Sequence, residues 1–208
     1  MVERADAARN RLAVLEAAGG LFDDAAEIGA VSMDDVARAA GVGKGTLFRR
    51  FGDRTNLIRT VYDARLTDLR TAIADGPPPL GPRADPHVRI PAVLEAIVDF
   101  KLDNRKLAMS LERDQRDGAA TLYTSPSYVE THALLTGLLT EVIGAEEAAW
   151  SAYALLAATR IDLVDHLVTA EGMTRDDLRR KVRALVGRVL SPGVSGGHGL
   201  SDPVSPCG

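Results

Sequence analysis

The chain has 208 residues, of which 46% are hydrophobic, 26% charged and 4% aromatic, with a net charge of -4, an ordinary balance for a globular protein with room for a sizeable core. A single cysteine, Cys207, rules out an internal disulfide framework or a cysteine metal site and points to a reducing compartment. No apolar run approaches the roughly 18 residues of a membrane span, and the charged stretch Met1 to Arg11 leads into no signal-length apolar core, so a cytoplasmic protein that avoids the membrane is expected. Few aromatics and abundant Ala, Leu, Arg, Asp and Glu predict an all-α fold.

Taken in order, residues 5–26 read as a first helix, with Leu12, Leu15, Ala18, Gly19 and Phe22 at helical spacings. Arg4, Arg9 and Arg11 near its start read as solvated charges, with phosphate contact as the alternative. Ser32 with Asp35 three later opens a helix of about two turns, its hydroxyl placed to accept a free N–H of the first turn. Gly41 can take the positive φ that ends a helix and turns the chain. Lys44 to Phe51 then reads as a second helix. Ala37 at the crossing, Gly41 in the turn, and Leu47 and Phe51 on the inner face of the second helix are the core of a helix-turn-helix. Phe22 and Val36 are the expected contacts of Leu47 and Phe51 in a three-helix core.

The outward residues of the second helix, Lys44, Gly45, Thr46, Phe48, Arg49 and Arg50, suit a groove lined with phosphates. From Arg38 to Arg59 six basic residues (Arg38, Lys44, Arg49, Arg50, Arg54, Arg59) stand against one acid, Asp53, a local charge of +5 in a chain of -4. Eight helical residues span about 12 Å, comparable with the roughly 12 Å width of the DNA major groove.

Residues 31–57, Val-Ser-Met-Asp-Asp-Val-Ala-Arg-Ala-Ala-Gly-Val-Gly-Lys-Gly-Thr-Leu-Phe-Arg-Arg-Phe-Gly-Asp-Arg-Thr-Asn-Leu, resemble without a gap the DNA-binding signature of TetR-type transcriptional regulators. The family usually has a hydroxyl residue at the position of Gly43, Tyr at Phe48 and Lys at Arg54, so this chain lacks two hydroxyls that could bond phosphates. Within the face, Lys44, Thr46 and Arg49 are candidates for base edges, and Ser32, Phe48, Arg50 and Arg54 for positioning on phosphates. Gly43 and Gly45 let the backbone come close.

Beyond the motif, Asp53 reads as the N-cap of a fourth, rod-like helix running through Ile58, Val61, Tyr62, Leu66, Leu69 and Ile73. The proline-rich stretch 76–86 breaks helical structure as an exposed connection. Helical period returns from Pro91, with a break at Asn104, and residues 114–127 read as a loop. Ser125-Pro126 starts a helix that ends at Gly144. One long helix is expected over 145–170, and Thr174 with Asp177 opens the last, through Val189. Twelve of the 18 residues from Ser191 are Gly, Pro or Ser, so the tail is expected to be disordered. The domain organisation is therefore 5–56, a helix-turn-helix DNA-binding domain; 57–190, a helical effector-binding and dimerisation domain; and 191–208, the tail.

In the second domain Phe100, Met109, Tyr123, Tyr128, Trp150 and Tyr153 form an apolar set with polar tips, which could line a ligand pocket or be plain core. Asp162 and His166, four apart, have metal-ligand spacing. They fit a surface ion pair equally, and with His132 they are read as holding no metal. No phosphate-binding glycine loop, nucleophile elbow or metalloprotease helix occurs, so neither a catalytic site nor a cofactor is expected. The pair of helices over 145–170 and 174–190 is more apolar than a lone helical hairpin needs, and the first is apolar around most of its circumference. The resemblance implies that these last two helices pair with a second copy in a four-helix bundle, giving a homodimer that presents two recognition helices to a double-stranded, pseudo-palindromic DNA operator. It further implies a repressor released by a small-molecule effector. The alternative is a DNA-binding protein whose second domain serves only dimerisation or protein partners.

Overall fold

A computed structural model describes residues 2–116 and 122–191. The expected tail from residue 192, with Cys207, lies outside the described residues. Among these, the chain is all-α: α1 (Val2–Asp24), α2 (Met33–Ala39), α3 (Lys44–Phe51), α4 (Arg54–Arg65), α5 (Thr67–Asp75), α6 (Pro86–Asp103), α7 (Arg105–Arg116), α8 (Pro126–Ile143), α9 (Ala145–Ala157), α10 (Ile161–Thr169) and α11 (Arg175–Leu190). Short 3-10 turns stand at Ile28–Ala30 and Leu122–Thr124. No helix of the described residues is long and apolar enough to cross a membrane.

Two cores result. Val14, Ala18 and Phe22 of α1 meet Val36 and Ala37 of α2, Leu47 and Phe51 of α3, and Leu57, Ile58 and Val61 of α4. Leu107 and Leu111 of α7 complete this core. Fully burying a side chain such as Phe22 or Leu47 stabilises the fold by about 1.5–3 kcal/mol. A domain boundary after residue 56 therefore cuts α4 across its buried face. The second core joins Ile90, Leu94 and Val98 of α6, Leu135 and Leu139 of α8, Ala152 and Leu155 of α9, Ile161 of α10 and Val182 of α11, while Tyr62 packs against both.

Two rods expected as single helices are broken. The fourth stops at Arg65 and restarts at Thr67. There the Thr67 hydroxyl donates to the Asp63 carbonyl at 3.2 Å, the back-bonding that bends helices. The rod over 145–170 is interrupted between Ala157 and Ile161. Its freed backbone groups are claimed by charges from other helices. Lys101 Nζ of α6 donates to the Thr159 carbonyl at 2.8 Å, and Glu112 Oε1 of α7 accepts from Ile161 N–H at 3.2 Å. Periodicity within the segment carries no trace of these partners.

The helix expected from Pro91 begins five residues earlier, with Asp85 capping His87 N–H at 2.8 Å and Pro86 at the first turn. The loop expected over 114–127 overlaps α7, which continues to Arg116; residues 117–121 lie outside the described residues. The proline-rich stretch is a loop inside the second domain, pinned by the buried Arg89, which donates to the carbonyls of Leu80 and Ile73, both at 2.8 Å. Gly81 is needed there, because a Cβ would lie 1.6 Å from the Gly76 carbonyl oxygen.

The arginines of α11 reach α6. Arg183 forks onto Glu95 at 2.8 and 2.7 Å, Arg179 onto Asp99 at 2.6 Å, and Arg175 reaches Asp103. Acids four apart on one helix meeting arginines four apart on the other in reverse order set the two antiparallel.

Candidate nucleic-acid interface and the cavity behind it

Ser32 and Asp35 form a reciprocal capping box: Ser32 Oγ accepts from Asp35 N–H at 3.2 Å, and Asp35 Oδ2 accepts from Ser32 N–H at 3.1 Å. The Ser32 hydroxyl, which donates to Asp35 Oδ2 at 2.6 Å, and then the Ser32 N–H hold the Asp35 carboxyl below its ordinary value. Ser32 remains exposed at the entry to α2. Gly41, at φ +65°, ends α2. Val42 N–H reaches the Ala37 carbonyl at 3.0 Å and Gly41 N–H that of Arg38 at 3.3 Å. This double closure is a Schellman motif, and it aims α3 across α2. Ala37, Leu47 and Phe51 are buried beneath the crossing.

Gly43, Lys44, Gly45, Thr46, Phe48, Arg49 and Arg50 are all exposed along the outer face of α3. Gly43 is the N-cap and contributes no side-chain cap, so the first N–H groups of α3 stay open to an outside acceptor. Lys44 Nζ lies 2.8 Å from the Asp34 carboxylate and 5.9 Å from the centre of the Phe48 ring. Arg49 and Arg50 make no ion pair or hydrogen bond among the described residues. Arg11 sits 5.8 Å from the centre of the Phe51 ring.

Arg54 departs from its expected place on phosphates. Its Nε donates to the Val31 carbonyl at 2.9 Å and its Nη2 to the Ile28 carbonyl. The guanidinium thus closes the 3-10 turn between α1 and α2. The motif supplied the cation, and the Val31 and Ile28 carbonyls behind it, the latter also accepting from Val31 N–H at 3.2 Å, supplied partners within the module.

Behind this module a cavity of about 180 Å³ opens between α4, α6, α7 and the start of α8. Of the six expected pocket residues, Phe100 and Tyr128 line it. Met109 borders a different cleft, between α7 and the first module. Tyr123, Tyr153 and Trp150 are instead exposed, at 53%, 42% and 72%. Tyr123, Tyr128, Tyr153 and His132 cluster on the outside of the α8–α9 hairpin, the His132 and Tyr153 rings 3.9 Å apart. Helical spacing could not separate an aromatic facing inward from one facing a surface.

The cavity also takes residues the sequence reading passed over. Tyr62 packs edge-to-face on Phe100, with centroids 5.1 Å apart and planes at 68°. Burial, with the nearby Glu112 and Asp63 carboxylates, pushes its phenol well above the ordinary value. Asp63 beside it has its carboxyl raised chiefly by burial. Lys101, Glu112, Thr159 and Arg160 form the far wall. Arg160 Nη2 donates to Glu112 at 3.0 Å and to Asp162 at 2.9 Å. Asp162, expected to face His166, is thereby engaged by Arg160. Burial lowers the Lys101 ammonium pKa. The legible signal was Lys101 itself, a charge on the apolar stripe of Leu94, Ile97 and Leu102.

Among the exposed large apolar residues, Val129 of α8 and Trp150 and Tyr153 of α9 stand together with Tyr123, while Val88 of α6 and Leu163 of α10 are also exposed. The outer face of α11 is charged or small, with Arg180, Lys181, Ala184 and Arg188 exposed. Trp150, Tyr153 and Leu163 lie in the rod over 145–170 expected to pair with a second copy, whereas the ion ladder to α6 occupies one side of α11.

Known proteins resemble the chain in both parts. Residues 14–61 match the family model described as bacterial regulatory proteins, tetR family. An HTH-type transcriptional regulator of Staphylococcus aureus (strain bovine RF122 / ET3-1) is 31% identical over 109 residues, 52% of this chain and 57% of that protein. Another, from S. aureus strain MRSA252, is 32% identical over 73 residues, 35% of this chain and 38% of its own. The chain thus spans little more than half the length of the curated relatives it matches. Among solved structures, a TetR-like transcriptional regulator from Rhodococcus sp. RHA1 superposes with a TM-score of 0.62 at 23% identity, covering 88% of this chain and 96% of its own. NalD, the secondary repressor of the MexAB-OprM multidrug efflux pump in Pseudomonas aeruginosa, superposes with a TM-score of 0.58 at 18% identity over 91% of this chain and 99% of its own. Residues 14–61 thus match the tetR family of bacterial regulatory proteins, and most of the chain shares the all-α fold of solved TetR-like regulators.

Proposed function

We propose that the protein is a DNA-binding transcriptional repressor, acting as a homodimer and released from a pseudo-palindromic operator by a small molecule. The observation that carries this reading is the outer face of α3, where Lys44, Thr46, Arg49 and Arg50 stand exposed on a helix held rigidly by Leu47 and Phe51. Lys44, Thr46 and Arg49 reach base edges. Phe48, Arg50 and the open N-terminus of α3 meet phosphates, and Gly43 and Gly45 allow close approach. Ser32 fixes the start of α2, and its exposed hydroxyl meets a flanking phosphate.

Two copies pair through α8 and α9, burying Val129, Trp150 and Tyr153, and so set two α3 helices one helical turn of DNA apart, about 34–36 Å. α4 links DNA site and cavity: Leu57, Ile58 and Val61 lie in the first core and Tyr62 in the cavity wall. A ligand that fits the cavity in the splayed arrangement better than in the operator-bound one shifts the balance by the difference in its two affinities.

The test is capture of genomic fragments on the purified protein, followed by binding at rising salt. The reading expects inverted half-sites about one turn apart, a steep salt dependence, and release by one compound of a metabolite panel that also raises the melting temperature. Equal affinity for random and captured duplexes defeats the operator reading.

A further inference from the structure

We propose that the cavity takes a small single-ring organic cation, its ring against Tyr62 and Phe100 and its ammonium at the Asp63 carboxylate. The inference rests on the ligand-responsive reading above and names the ligand class of that site. Size argues first. A cavity of about 180 Å³ is close to the roughly 150 Å³ that holds a benzene, and below the roughly 300 Å³ at which sites for drug-sized ligands begin. Lining argues next, since Leu66, Leu69 and Ile97 line the same cavity as the edge-to-face Tyr62–Phe100 pair, an apolar and aromatic wall that favours a ring.

Charge then selects the sign. Three of the charged wall residues are engaged within the helix break: Glu112 by Arg160 and Ile161 N–H, Lys101 by the Thr159 carbonyl. Asp63 is the exception. The approach of Arg70 is long, 3.8 Å, and that arginine is shared with Glu130, also at 3.8 Å, and with the Ser127 hydroxyl. Arg59, one turn before Asp63, donates to Asn56 at 2.9 Å. The Tyr62 hydroxyl has no hydrogen-bond partner among the described residues, and its charged neighbours are the carboxylates of Glu112 and Asp63. What the Asp63 carboxylate lacks is a positively charged donor at hydrogen-bond distance, since Arg59 is turned to Asn56 and Arg70 stands 3.8 Å away, and a ligand cation there is favoured by the aromatic ring faces as well.

The experiment is calorimetric titration of the full chain and of Asp63→Asn with benzylammonium, benzoate and benzyl alcohol, each followed by a melt. Benzylammonium is expected to bind the parent and to lose about tenfold in affinity in Asp63→Asn, while benzyl alcohol binds both alike and so shows the variant folded. Benzoate binding that Lys101→Met abolishes, unchanged benzylammonium affinity in Asp63→Asn, or binding by none of the three overturns the proposal. Benzylammonium binding that depends on Asp63 yet leaves captured DNA in place upholds the site and defeats the ligand-responsive reading instead.

Discussion

Arg65 closes on Asp23 with two parallel hydrogen bonds, Nη1 to Oδ1 at 3.0 Å and Nη2 to Oδ2 at 2.7 Å, and donates from Nη1 to Asn104 at 3.0 Å. Asp23 is near the end of α1, Arg65 ends α4, and Asn104 sits between α6 and α7. Lys106 adds bonds of 2.8 and 2.7 Å to the carbonyls of Asp23 and Ala25, a cation at the negative end of α1. One small cluster thus ties the first module to the helices that wall the cavity. Because Asp23 is largely exposed, Asp23→Ala is expected to cost about 1 kcal/mol and about 3 °C in a chain of this size. Amide exchange should quicken in the last turn of α1 and in α3, and stay unchanged in α8 and α9. Uniform quickening would mean that the fork stabilises globally and couples nothing.

The ion pair between Lys44 and Asp34 is exposed on both sides, so it contributes little and exchanges readily for phosphate. Lys44→Ala is expected to weaken captured duplexes more than random ones. Asp34→Asn, which removes the carboxylate paired with Lys44 beside the proposed DNA face, should tighten both. Arg54→Ala behaves differently, because its guanidinium serves the Ile28 and Val31 carbonyls. Its salt slope should stay that of the parent, with stability falling by about 1 kcal/mol for each lost bond. A slope reduced by about one would return Arg54 to the phosphates.

Trp150 is the only tryptophan of the chain and is 72% exposed. If α8 and α9 pair with a second copy, its emission moves to the blue as concentration rises through the dimer constant, in step with the mass seen by sedimentation. Trp150→Glu is expected to give a folded monomer that binds a palindromic duplex far more weakly than the parent. A dimer that forms while Trp150 emission stays unshifted would place the pairing face elsewhere.

Asp63 gives a pH signature. Burial raises its carboxyl above the ordinary 3.8 in the folded chain, so folding favours the protonated form. The contribution is complete below the unfolded value and is lost as pH rises through the higher folded value. At neutral pH the ionised, half-buried group therefore costs stability. Asp63→Asn should melt above the parent at neutral pH, with the gain shrinking toward about pH 4, as melts followed by circular dichroism would show. A variant that melts lower at neutral pH would mean that Arg70 already compensates the charge.

Sequence alone was enough for whatever depends on near neighbours in the chain. Capping boxes at Ser32–Asp35 and Thr174–Asp177, the Ser125-Pro126 start, the turn at Gly41 and the apolar pair Leu47 and Phe51 are decided within a few residues by backbone geometry and helical period. Only the tertiary structure decided where charges and aromatics point. Arg54 turned to backbone carbonyls, and the rod over 145–170 broke because Lys101 and Glu112, about 50 residues away, satisfy its opened backbone. Tyr123, Trp150 and Tyr153 came to the surface, while Tyr62 and Asp63 walled the cavity. The physical reason is range: a cap or a helical face is set by residues one turn away, whereas a buried charge or a cavity wall exists only once distant helices have met.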